Sequence, residues 1–186
     1  MKTTIADFDR PRGNTRDEYQ WMTNEEILKD LEDKRHNFSI LLCNISRDIN
    51  IGSAVRSHAT FLGQDIILYG HKRYNRIPAV GTYAYSLIKH LKYVEDIDDV
   101  LGAYDEVIGC DFVPDRSVSI WNSTFDYEKR TLFCFGHEEE GLPEELMRRC
   151  HRLLHIPMFG ATKSFNVAVS AALVLNEYVR GLHAGK

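Results

Sequence analysis

Ile156-Pro157-Met158-Phe159-Gly160-Ala161-Thr162-Lys163-Ser164-Phe165-Asn166, running into Val167–Arg180, is the stretch on which the fold turns. A strand-like end over Leu153–Ile156 meets Pro157, and a loop with one glycine follows. Ser164 and Asn166 then precede an apolar run. Both residue types are favoured at helix starts, where their side chains accept the orphan N–H groups of the first turn. From Val167 to Leu175 there is almost no polar face, whereas an amphipathic surface helix shows one. A helix apolar all round needs cover on most sides, from its own sheet and from a second subunit. Taken alone, the segment reads equally well as an ordinary core helix with a polar cap.

Working back from it, Thr131–Phe135 is a buried strand that stops at Gly136-His137-Glu138-Glu139-Glu140-Gly141-Leu142-Pro143. A short helix over Glu144–Cys150 follows, with Pro143 opening it. Phe38–Cys43 is apolar enough to be buried on both faces. After a polar loop, Gly52–Leu62 reads as a helix closed by Gly63 at C′. Asp65–Tyr69 and Glu106–Cys110 are further strands, Asp96–Tyr104 is helical, and Leu87–Val94 is open as to type. Asp111–Lys129 is irregular, with a short strand at Val118–Trp121. Strands alternating with helices give an α/β fold, a mostly parallel sheet with helices on both faces. Residues 1–37 form an amino-terminal arm and helix in front of a domain over 38–186. That helix starts at a capping box, Thr23 with Glu26, and shows Ile27, Leu28 and Leu31 on one side.

Over 186 residues, 44% hydrophobic and 27% charged content are those of a globular protein with a real core. No stretch is long enough to span a membrane, and the amino terminus has no apolar signal core, so a cytoplasmic location is expected. Cys43, Cys110, Cys134 and Cys150 are scattered without a C-x-x-C pair, which favours buried free thiols over a metal site. A net charge of −4 does not advertise nucleic-acid binding by the whole chain. Local clusters remain as RNA-binding candidates: Arg10, Arg12 and Arg16 in the arm, Arg47, and Lys72, Arg73 and Arg76 in a basic loop with His71. Arg148, Arg149 and Arg152 make a further basic group. Each such cluster is by default a solvated face.

In a parallel sheet, ligands sit beyond the carboxyl ends of the strands. Three loops there concentrate polar side chains: Asn44–Arg56, Gly136–Pro143 and Pro157–Asn166. Neither G-x-G-x-x-G nor a P-loop occurs, so the usual nucleotide-binding readings lose their support. The three loops together resemble the SpoU-type (TrmH-like) RNA ribose methyltransferases of the knotted SPOUT superfamily. The first motif resembles Asn50-Ile51-Gly52-Ser53-Ala54-Val55-Arg56, continued by Ala59, Phe61 and Gly63. The second is similar to Phe135–Leu142, and the third to Ile156-Pro157-Met158 with Gly160, Ser164–Ser170, Leu175 and Glu177. Spacing and order match over roughly residues 38–180. Phe165 stands where the family usually has Leu, which reshapes an apolar wall.

The resemblance implies a carboxyl-terminal trefoil knot, S-adenosylmethionine as cofactor, a homodimer, and methylation of a ribose 2′-hydroxyl in tRNA or rRNA. It implies catalytic roles for Arg56, Asn50, Glu138, Ser164 and Asn166. For the cofactor it implies Phe135, Gly136, Gly141, Ile156, Met158, Gly160, Ser164 and Phe165, with the glycines letting backbone approach the ligand. Asn50, Ser164 and Asn166 have the hydrogen-bonding groups to fix an acceptor ribose. Glu138 has the charge to lock Arg56 or a ribose hydroxyl. Arg56, whose residue type loses its proton only above about pH 12, suits a cation better than a base. Two other readings stand beside this one: a non-catalytic RNA-binding protein with the same knotted fold, and a knotted methyltransferase acting on a base.

Overall fold

The computed structural model describes residues 14–43, 45–70, 73–91 and 93–184. Arg10, Arg12, His71, Lys72 and Asn44 lie outside the described residues. The strands are β1 (Phe38–Cys43), β2 (Asp65–Tyr69), β3 (Leu87–Leu91), β4 (Glu106–Cys110), β5 (Ser117–Ser119), β6 (Thr131–Phe135) and β7 (Arg152–His155). They form one sheet in the order β3-β2-β1-β6-β4-β7-β5, and every pairing is parallel. The helices are α1 (Asn24–Glu32), α2 (Asp48–Thr60), α3 (Ile97–Gly102), α4 (Glu144–Met147) and α5 (Val167–His183).

The central strands explain the two-sided core. All six residues of β1 and all five of β6 are buried. Alternation sends Ile40, Leu42, Phe133 and Phe135 to the face covered by α2 and α5. It sends Leu41, Cys43, Leu132 and Cys134 to the face covered by α3 and α4. Helices on both faces are what such strands require, because neither side of the sheet can be left wet.

After β7 the chain turns back, and α5 packs on α2 and across the β1–β6–β4–β7 part of the sheet. Tyr178 fixes it there. Its ring is fully buried, with centroids 5.1–5.6 Å from Phe38, Phe125, Tyr127 and Phe133. Aromatic contacts of this kind add about 0.5–1.5 kcal/mol each beyond the area they bury. The amino end of α5 is thereby held beside the carboxyl ends of the strands.

Several boundaries differ from those the sequence suggests. α2 begins at Asp48 rather than Gly52, so Asn50 lies inside its first turn. Its C′ residue is Leu62, at φ 58°, with Gly63 one place further on. The Leu62 N–H reaches the Ala59 carbonyl (3.2 Å) and the Gly63 N–H the His58 carbonyl (3.3 Å). That is a Schellman closure with a leucine in the left-handed position. Pro143 is the residue before α4 rather than its first, and α4 stops at Met147, short of Cys150. Leu87–Leu91 is a strand at the sheet edge, and Val118 sits in β5, which ends in a single tight turn over Ile120–Asn122. The capping box of α1 is present with both of its bonds, and Ile27 is the residue it buries.

Candidate active site

From β1 the chain moves outward one way through β2 and β3, while β6 and β4 lie on its other side. The carboxyl ends of β1 and β6 therefore flank a topological switch point, where parallel sheets open a crevice.

The loop after β6 is built around two glycines. His137 and Gly141 exchange both backbone hydrogen bonds, at 3.0 and 2.9 Å, which draws the loop into a tight ring. Gly141 has φ 71°, and a Cβ there would strike the Asp111 carboxylate. A Cβ on Gly136 would strike the Gly141 carbonyl across the ring. These glycines are thus required by the loop itself. Asp111, just beyond β4, completes the frame by accepting from the Leu142 and Phe112 N–H groups, both at 2.8 Å.

Glu138, on this loop, is the acceptor end of a hydrogen-bond chain that ties the three loops together. Its Oε2 accepts from the Ser46 N–H (2.9 Å) and the Ser46 hydroxyl (2.8 Å), while Oε1 accepts from Asn50 Nδ2 (2.7 Å). Asn50 Oδ1 accepts in turn from Asn166 Nδ2 (2.9 Å). Asn166 Oδ1 accepts from the Ala168 and Val169 N–H groups at 2.9 and 3.3 Å, capping α5 as its residue type foretells. Burial alone would push the Glu138 carboxyl up. The bonds from Asn50 and Ser46 outweigh it and hold the group down at about 2, so it is ionised at neutral pH.

Beside this chain, a cavity of about 620 Å³ opens between the β4, β6 and β7 ends and the segment entering α5. Phe135, Gly136, Glu138, Gly141, Ile156, Met158, Ser164 and Phe165 all line it. Gly160 does not, and a Cβ there would meet nothing within 4 Å. Asp111, Phe112, Ile120, His155 and Lys163 line it as well and escaped the sequence reading. Asp111 carries a usable signal, an acid directly after a buried strand. Ser46, equally missed, has only its place in the polar loop after β1.

Arg56 stands apart from this group. It is exposed on α2 and lines a second cavity of about 440 Å³, with Arg16, Tyr19, Ile27 and Lys34 from the amino-terminal region. Glu138 spends its oxygens on Ser46 and Asn50, and among the described residues it makes no ion pair with Arg56. Arg47, Arg73 and Arg76 are exposed, Arg76 lying 4.9 Å over the Tyr83 ring, while Arg16 is paired with Glu18 at 2.7 Å. Cys43 and Cys134 are buried free thiols, and burial pushes Cys43 up to about 12. No described helix is long and apolar enough to cross a membrane.

Comparison with known proteins identifies the family and the fold. Residues 37–176 match the model of the SpoU rRNA Methylase family. An "Uncharacterized tRNA/rRNA methyltransferase" of Mycolicibacterium gilvum is 29% identical over 176 residues, covering 87% of this chain and 52% of that protein. A protein of the same description from Haemophilus influenzae is 27% identical over 152 residues, covering 76% of this chain and 62% of its own. The chain thus spans about half to three-fifths of the length of these relatives. Among solved structures, the TrmH/SpoU tRNA modifying enzyme of A. aeolicus superposes with a TM-score of 0.73 at 22% identity, covering 87% of this chain and 85% of that one. AviRb of Streptomyces viridochromogenes, in complex with the cofactor AdoMet, gives 0.71 at 24% identity, covering 82% and 60%.

Proposed function

The chain belongs to the SpoU rRNA Methylase family, and on that premise we propose that it methylates a ribose 2′-hydroxyl of tRNA or rRNA, using S-adenosylmethionine, as a homodimer. The observation that carries this reading is the Glu138–Asn50–Asn166 chain at the edge of a cofactor-sized cavity.

The cavity suits S-adenosylmethionine in size and chemistry. Its volume is within the range of about 300–1,000 Å³ of small-molecule pockets. Ile156, Met158, Leu142 and Ile120 give apolar walls for an adenine, and the Glu138–Glu140 run supplies negative charge for a cationic ligand. Bound there, the cofactor supplies an already activated methyl group. The protein's own work is then to hold one hydroxyl still and in line. Asn50 and Asn166 are locked by their mutual bond and by Glu138, and Ser164 is exposed at the cavity edge; on this reading their amide and hydroxyl groups fix the acceptor ribose. Such groups order a hydroxyl without needing to take its proton. Arg56, outside this cluster, serves as a cation that clamps RNA phosphate, and the hydroxyl proton leaves to water or to a phosphate oxygen.

The reading includes the carboxyl-terminal knot, with segment 157–166 as the part that returns toward α2. The dimer is supported by Val169 and Leu173, apolar residues one turn apart on α5 that are 46% and 40% exposed. The test is mass spectrometry of nucleosides from unmodified tRNA and rRNA incubated with the protein and donor labelled in its methyl group. Label on a 2′-O-methylnucleoside is the expected result. Label on a base would replace the ribose assignment, and donor binding without transfer would leave a non-catalytic RNA-binding protein.

A further inference from the structure

Two aromatic rings at the rim of this site have no role in the core. Trp121 lies in the tight turn after β5 and is 63% exposed; Phe159 lies in the segment between β7 and α5 and is 85% exposed. They come from sequence positions 38 apart (159 − 121), yet their rings stack, with centroids 6.0 Å apart and planes inclined by 21°. Neither lines the cofactor-sized cavity, but the residue before each, Ile120 and Met158, does. Each ring thus follows directly on a residue of the cavity wall. Phe112, 56% exposed, and Lys163 line the cavity itself.

We propose that the Trp121–Phe159 pair is a stacking ledge for an unpaired RNA base flanking the nucleotide that is methylated. The inference rests on the RNA methyltransferase reading above and adds a substrate class to it: single-stranded RNA, such as a loop or an end, rather than a continuous duplex. Large aromatic surface left in water beside a functional cavity marks a contact site. Nearly parallel rings offer a flat π-face, which suits a base of any sequence. Bases become available for such stacking only where RNA is unpaired. Lys163, which lines the cavity, supplies a positive charge for an adjoining phosphate. A second copy of the chain is the competing occupant, but Val169 and Leu173 on α5 already offer it an exposed apolar surface.

The experiment uses full-length protein carrying Trp21→Phe, which leaves Trp121 as the sole tryptophan of the two in the chain. Its fluorescence is followed during titration with a short single-stranded RNA, the same strand with abasic positions, and the corresponding duplex. Quenching by the single strand, with little from the other two, is expected. Trp121→Ala/Phe159→Ala in the natural background should weaken RNA binding about tenfold or more. It should raise KM for RNA and leave S-adenosylmethionine affinity unchanged, and Phe159→Tyr should retain most of the RNA affinity. Unchanged fluorescence at saturating RNA, or unchanged KM in the double variant, overturns the ledge while methyl transfer still stands. Loss of dimer in the double variant, with RNA affinity intact at matched dimer concentration, assigns the pair to self-association and also overturns it. Absence of donor binding and of transfer in the unaltered protein would instead sink the enzymatic reading.

Discussion

Glu138→Gln is the most informative single change, because every link in the chain it ends has a fixed direction. The Ala168 and Val169 N–H groups require Asn166 to present its oxygen. That turns the Asn166 amide nitrogen onto Asn50, which must accept with its own oxygen and so presents its nitrogen to residue 138. Ser46 donates to the same residue from its backbone and its hydroxyl. Residue 138 must therefore accept on both of its oxygens, which a carboxylate does and an amide cannot. The new amide faces Asn50 donor to donor, forces both asparagines to flip, or turns its nitrogen to Ser46, whose hydroxyl can accept but whose N–H then loses its partner. A half-buried donor left unpaired costs about 1–3 kcal/mol. Flipping moves the loss to the cap of α5, where it costs about 0.5–2 kcal/mol. The cheaper route sets the result, so about 1–2 kcal/mol should be lost. Asn50→Asp alone would set two carboxylates against each other and should also destabilise. Combined with Glu138→Gln it restores every donor to an acceptor with the same net charge. The double variant should recover to within about 0.5 kcal/mol of the natural protein, a strongly non-additive cycle. Urea unfolding at one fixed protein concentration measures all four proteins. A neutral Glu138→Gln, or a double variant that merely sums the two losses, would refute the directional chain.

His58 is fully buried, and burial, followed by the charge of Arg35, pushes its imidazole down from 6.5 to about 3. The unfolded chain binds the proton first, so this contribution is intact above about pH 6.5 and falls away toward pH 3; at about 1.4 kcal/mol per unit it amounts to roughly 2 kcal/mol lost by pH 5, and His58→Leu should show a correspondingly flatter stability profile between pH 7 and 5. Gly141→Ala, at φ 71° and against the Asp111 carboxylate, should cost about 1–3 kcal/mol of strain and weaken donor binding in calorimetry, whereas Gly160→Ala should change neither much. Arg56→Ala should raise KM for RNA about tenfold with little change in kcat or donor affinity, and Arg56→Lys should keep a measurable part of the RNA affinity; a Lys variant as weak as Ala would require the guanidinium's shape rather than its charge.

The fold was legible wherever burial is two-sided. Phe38–Cys43 and Thr131–Phe135 can be little other than central parallel strands, and Asn166 could be read as a cap because the residues after it are uniformly apolar. Leu87–Leu91 was not legible as a strand: at the sheet edge Leu87, Lys89 and His90 stay exposed, so the pattern that identifies a buried strand is missing. The start of α2 was misplaced for a related reason. Asp48, Ile49 and Asn50 look like loop, yet Asn50 is drawn into the helix by tertiary bonds to Glu138 and Asn166, partners 88 and 116 residues away that no local signal announces.

The separation of Asn50 from Arg56 is a different matter, since the spacing alone contains it. Six residues advance a helix by about 600°, which leaves two side chains about 120° apart around the axis. Once both are known to lie on α2, they cannot address one point from the same chain. Asn50 takes the inner side, where it is 6% exposed, and Arg56 falls with Ile49 and Thr60 on the outer stripe. The family resemblance implies one catalytic group; within a single chain, helical geometry sets the two side chains apart. On the proposed reading, the inner group orders a hydroxyl by neutral donors and acceptors fixed through Glu138. The outer one offers a full positive charge beside the amino-terminal region, which on that reading suits an extended polyanion better than a single ribose. A phosphate clamp is therefore the role its position supports.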